Sequence, residues 1–139
     1  MLVKVGVVGY CPPTKFDEVE ARKMIVDAYD KVEAIYPELP IVIVSGMTAV
    51  GVLKIAYEEA SKREWITVGV ACNKALDHPL YPVDHKIFVG ENWGDESETF
   101  VTGLDGIIRI GNGKQSIAET EQVKLKGGFA YEYDLPTLE

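Results

Sequence analysis

Short apolar runs that close on glycine and lead into helix-patterned stretches recur along this chain, and that alternation leaves it few folds to adopt. Two places carry the pattern whole: Ile41-Val42-Ile43-Val44-Ser45-Gly46-Met47-Thr48, and Gly106-Ile107-Ile108-Arg109-Ile110-Gly111-Asn112-Gly113-Lys114-Gln115-Ser116. An apolar run without polar alternation is buried on both faces, as in a parallel strand covered by helices. Further strands are expected over 2–8, 66–71, 87–89 and 129–133. Helices are expected over about 14–35, 50–61, 95–101 and 116–126. Thr14 is the expected cap of the first helix, with Phe16, Val19, Met24, Ala28, Val32 and Ile35 supplying much of its apolar face. Pro12 and Pro13 keep the preceding loop out of helix, and Pro37 and Pro40 bracket the stop. The stretch 73–85, with His78-Pro79 and Tyr81-Pro82, reads as an excursion over the sheet edge, and the polar tail 134–139 is expected to fray. Strands alternating with helices give an α/β fold with a mostly parallel sheet.

The length of 139 residues suits one domain, 1–139, since no gap is rich enough in Pro, Gly or Ser to mark a second. Apolar residues at 47% and charged residues at 26% are those of a chain that buries a core. The net charge is -8 and the longest basic cluster is Lys62-Arg63, followed at once by Glu64. Sequence-independent nucleic-acid binding needs many cations against phosphate, so no nucleic-acid partner is expected. No segment approaches the roughly 20 apolar residues of a membrane span, so no membrane partner is expected either. Residues 1–10 read as a first strand, because Lys4 interrupts them and no basic flank or cleavage-like site accompanies them. Cys11 and Cys72 have neither metal-site nor redox-motif spacing, which fits thiols in a reducing compartment and a cytoplasmic protein.

The two glycine turns are where chemistry can sit. Glycines let backbone N–H groups approach an anion, and the next helix presents unsatisfied first-turn donors. In an α/β sheet both turns emerge on the carboxyl side, where ligands bind beside a topological switch. Gly9 ends the first strand on that same side. The candidate ligand-binding residues are Gly9, Ser45, Gly46, Met47, Thr48, Gly111, Asn112, Gly113, Lys114, Gln115 and Ser116, with Trp93 as a surface for a base to stack on. Neither turn is a Walker loop or a dinucleotide fingerprint, and ordinary strand-to-helix turns use glycine too. Glu119 has two readings. Ser116-Ile117-Ala118-Glu119 fits a capping box, in which Glu119 reaches back to the cap amide; alternatively, Glu119 stands one turn inside the pocket as a catalytic acid. Asp95, Glu96 and Glu98 either hold Mg²⁺ or simply favour a helix start, the commoner case. His78 and His85 are too far apart for a helical ligand pair, and no metal site is assigned. Cys11 has no base beside it in sequence to make it a nucleophile.

These residues resemble a Rossmann-like group that includes the LOG-type (lysine decarboxylase-like) nucleoside phosphoribohydrolases, the molybdenum-cofactor carrier proteins and the DprA-like domains. The opening Val5-Gly6-Val7-Val8-Gly9, the turn Val44-Ser45-Gly46-Met47-Thr48-Ala49-Val50-Gly51, and Leu104 to Glu119 carry the resemblance, which covers about residues 3–133. It implies a three-layer Rossmann-like domain and a homo-oligomer. In the hydrolases the last of these segments is a proline-glycine-glycine, any residue, glycine-threonine, two residues, glutamate motif. There the glycines bind phosphate and the glutamate acts in N-glycosidic cleavage. Carried over, Gly111, Gly113, Gln115 and Ser116 line a phosphate site and Glu119 is the acid. Ile110 stands in place of the proline and Asn112 in place of the second glycine. Residues 93–100 carry acids where the hydrolases carry an arginine and a lysine. Three functions are therefore expected to compete: a sensor or carrier binding a nucleotide-like or other phosphate-bearing ligand, an N-glycosidic hydrolase or transferase using Glu119, and a molybdenum-cofactor carrier. A nucleotide is the candidate bound molecule, and no cofactor is assigned beyond it.

Overall fold

The computed structural model describes residues 1–138. The elements run β1 (Val3–Gly9), β2 (Lys15–Phe16), α1 (Glu18–Ile35), β3 (Ile41–Ser45), α2 (Gly51–Lys62), β4 (Ile66–Ala71), a 3-10 turn (Asn73–Asp77), β5 (His85–Phe88), α3 (Ser97–Val101), β6 (Gly106–Ile110), α4 (Lys114–Leu125), β7 (Phe129–Tyr133) and β8 (Thr137–Leu138). Six strands form one sheet in the order β5-β4-β3-β1-β6-β7, and every pairing in it is parallel. This is the α/β, three-layer architecture expected from the alternation.

Burial follows the strand period. Val3, Val5 and Val7 of β1, Ile41 and Ile43 of β3, and Ile108 and Ile110 of β6 turn to the face covered by α1 and α2. Their neighbours Val8, Val42, Val44 and Ile107 turn to the opposite face, against Phe100 and Val101 of α3 and Val123 of α4. All five residues of β3 and all five of β6 are buried, as strands sandwiched between helices must be. Tyr29 joins the two helices of the first layer, its hydroxyl donating to the Ala56 carbonyl at 2.8 Å. Arg22 adds ion pairs to Glu58 and Glu59 at 2.8 and 2.6 Å.

Three local expectations are corrected. Asp17, not Thr14, caps α1: its Oδ1 accepts from the Val19 and Glu20 amides, while the Thr14 amide donates to the Cys11 carbonyl in the preceding turn. Of the expected apolar face, Phe16 falls in β2 and Val19 and Ile35 face outward, 65% and 52% exposed, while Ala21, Ile25 and Tyr29 join Ala28 and Val32 in the core. The tail does not fray over the described residues. Leu135 is buried, and Thr137–Leu138 pairs antiparallel with Lys15–Phe16 in a small second sheet. Glu139 lies outside the described residues. Finally, α4 begins at Lys114 with Gly113 as its cap residue, so Ser116 lies inside the helix and no capping box forms. No helix among the described residues is long and apolar enough to cross a membrane.

Candidate functional site

The strand order places a crevice. From β1 the chain builds outward through β3, β4 and β5, then returns to β6 on the other side of β1. Loops leaving β1 and β6 at their carboxyl ends therefore diverge to opposite faces, and ligands of open α/β sheets bind in the gap so formed. Here the gap is a cleft of about 360 Å³, within the size range of small-molecule sites. Its floor is Val7, Val8, Val70 and Ala71; the exits of β1 (Gly9, Tyr10, Cys11) and β3 (Ser45–Thr48) form one side. Gly113–Ser116 and Glu119 of α4 form the other, and Trp93, Glu96 and Phe100 close the end.

Each side is held by hydrogen bonds that leave its backbone fixed. Ser45, fully buried, donates from Oγ to the Val7 carbonyl at 2.6 Å, so its hydroxyl is engaged within the fold. The Tyr57 hydroxyl lies between the Gly46 and Val68 carbonyls at 2.5 and 2.9 Å, and burial pushes it well above the ordinary phenol range. Gly46 packs against Leu53, whose side chain would have to shift to admit a Cβ there. On α4 no side chain among the described residues caps the helix, and its opening residues, Gly113–Ser116, line the cleft. Among the described residues Lys114 is the one cationic residue lining the cleft, and Glu96 and Glu119 are its acids.

Glu119 is 7% exposed. Its Oε2 accepts from the Ser97 hydroxyl at 2.8 Å, which ties α4 to α3. Burial raises its pKa, hydrogen bonds from Ser97 and Gln115 oppose the rise, and the nearby charge of Glu96 adds to it. A carboxyl that holds its proton to higher pH can act as a proton donor to a ligand. Burial likewise pushes the Cys11 thiol up, which makes thiolate scarce at neutral pH and argues against Cys11 as a nucleophile. The Asp95 carboxylate accepts from the Glu91 and Asn92 amides, and among the described residues no three His, Cys, Asp or Glu side chains converge as metal ligands would.

The architecture matches solved structures across nearly its whole length. A molybdenum-cofactor carrier protein from Chlamydomonas reinhardtii superposes with a TM-score of 0.73 at 17% identity, over 95% of this chain and 76% of that one. The molybdenum-cofactor binding protein of the phototrophic bacterium Rippkaea orientalis gives 0.71 at 20% identity, over 96% and 78%. The chain has a Rossmann-like fold similar to the folds of these two proteins. At these identities the likeness is one of fold. Neither a protein-family model nor a curated protein matches the chain.

The Rossmann-like domain brings together on one cleft Gly9, Ser45, Gly46, Met47, Thr48, Trp93, Gly113, Lys114, Gln115, Ser116 and Glu119. Met47 is buried in the core and contributes to the cleft from below. Trp93 is 53% exposed at the end of the cleft, its ring 5.7 Å from that of His78. Gly111 and Asn112 stand outside the lining: the Gly111 carbonyl and Asn112 Oδ1 both accept from Arg109 at 2.6 Å. Arg109, the cation inside β6, is thereby partnered by the turn at the end of its own strand, with Asp134 at 3.4 Å. Sequence reasoning passed over Tyr10 and Phe100 as site residues, and weighed Glu96 only as a Mg²⁺ ligand or a helix-start acid. Tyr10 carried a signal, an aromatic next to Gly9 at a strand exit, whereas Phe100 enters only through the packing of α3 on the sheet.

Proposed function

We propose that the cleft binds a nucleotide-like or other phosphate-bearing small molecule and that the protein acts as its carrier or sensor. The observation that carries this reading is the uncapped first turn of α4, opening with Lys114 onto a cleft at the topological switch. The molybdenum cofactor is the cargo to test first within that class, because the solved structures that share the fold are named for it. The reading includes assembly into a homo-oligomer, which light scattering reads directly as a mass above the 15.3 kDa of one chain. It also includes a cytoplasmic setting, in keeping with two unpaired thiols.

The test is native mass spectrometry of freshly purified protein, compared with a denaturing spray that releases and weighs anything bound. The expected result is a stoichiometric mass of nucleotide or cofactor size, weakened in Lys114→Ala. Empty protein that also shows no saturable heat on titration with nucleoside monophosphates would overturn the reading.

A second reading, cleavage at an N-glycosidic bond, is favoured by one observation: a buried carboxyl of raised pKa, Glu119, facing the cleft. It requires base release from a nucleoside or nucleoside monophosphate that disappears in Glu119→Gln while the fold survives. Turnover that persists in that variant sinks it.

A further inference from the structure

We infer that Tyr10 is a positioning residue of the cleft, holding the turn before α4 where a ligand's anion would meet it. The inference rests on the reading of the cleft as a ligand site. Tyr10, itself part of the cleft lining, leaves β1 and joins three chain segments. Its backbone carbonyl accepts from the Val52 amide at the start of α2 at 2.9 Å. Its hydroxyl accepts from the Asn112 amide at 2.8 Å and donates to the Leu135 carbonyl at 2.9 Å. Its ring lies against Gly111, where a Cβ would collide with it, and Gly111 holds a φ of +89°, a region that disfavours side chains.

The turn 111–112 makes no lining contact of its own, so it acts through Gly113 and the first turn of α4. The Gly111 amide donates to the Tyr133 carbonyl at 2.8 Å, and Arg109 holds the Gly111 carbonyl and the Asn112 side chain. With the Asn112 amide given to Tyr10, the backbone is fixed up to the residue before Gly113, where the lining begins. Leu135 is 2% exposed, which anchors the far end of the Tyr10 link in the core. The segment after β7 thus reaches the cleft through one hydroxyl.

The test compares the full chain with Tyr10→Phe, which keeps the ring and removes the hydroxyl. Tyr29→Phe is the control, because it deletes another tyrosine-to-carbonyl bond, between α1 and α2. Two readouts come from amide spectra: hydrogen exchange at residues 111–116 in ligand-free protein, and the response of the 113–116 amides to added inorganic phosphate. Tyr10→Phe is expected to speed exchange there by about tenfold, a net hydrogen bond's worth, and to weaken the phosphate response by a similar factor. Tyr29→Phe should leave both unchanged. Unaltered exchange in Tyr10→Phe overturns the inference whatever the wild type binds. Faster exchange in Tyr10→Phe beside a wild type whose 113–116 amides do not respond to phosphate overturns the ligand reading and leaves Tyr10 a role in the turn alone. An equal effect from Tyr29→Phe reduces the result to lost stability and overturns the assignment to Tyr10.

Discussion

Glu119 owes its raised pKa to burial, and its hydrogen-bond partner is Ser97 and not the cap of its own helix. The residues Ser116 and Glu119 satisfy the spacing of a capping box, yet α4 begins two residues before Ser116, and the Glu119 carboxyl turns to α3. Local spacing found the residue and could not find its partner, which arrives from another element. The consequence is a pH dependence of definite sign. A carboxyl whose pKa is raised by folding binds its proton more tightly folded than unfolded, so ionisation costs stability as pH rises from the usual carboxylate range through the folded value. Glu119→Gln keeps an acceptor for Ser97 and removes the charge. Melting temperature measured against pH should match the wild type at low pH and exceed it increasingly as pH rises through that window. Parallel curves for the two proteins would contradict the assignment.

At the scale of elements, helix α1 is set by Asp17, which takes two orphan amides of the first turn at 3.0 and 3.1 Å. Asp17→Ala should cost about 1 kcal/mol by denaturant unfolding, whereas Thr14→Ala should cost only a fraction of that; the reverse order would put the cap back at Thr14. Both residue types are good caps, so the sequence offers two starts. The choice is made by β2, whose partner β8 lies at the other end of the chain and is invisible to a local scan. The same limit hid the order in the tail. By contrast β3, β4, β6 and β7 were legible nearly to the residue; for β3 and β6 the reason is that strands buried on both faces are continuous apolar runs whatever they pair with. Both glycine turns were legible as strand exits. That 113–116 line the cleft while 111–112 stand outside it, bonded to Tyr10 and Arg109, depends on side chains whose reach no spacing encodes.

The whole molecule carries a net charge of -8 and a sequence pI near 4.8, so self-repulsion eases as pH falls from neutrality. Glu119 works in the same direction. The opposing contribution comes from Glu59: burial raises its pKa, but hydrogen bonds from Lys62 and Arg22 outweigh that and hold it below the usual range. A depressed carboxylate contributes stability above its unfolded pKa and loses it as pH falls through the folded value. Melting temperature is therefore expected to rise on the acid side of neutrality and fall only at lower pH, where the clamp between α1 and α2 is lost. A steady decline from pH 7 downward would contradict this balance. The strand order itself, unreadable from local pattern, also fixes a sequence of events. The half-sheet β5-β4-β3-β1 draws only on residues up to Phe88, but β6 meets β1 through contacts such as Lys4 with Asp105, 101 residues apart. Closing so long a loop is among the slowest steps a domain of this kind takes. As the chain leaves the ribosome, the strands up to Phe88 can gather before β6 and α4, and with them one side of the cleft, exist.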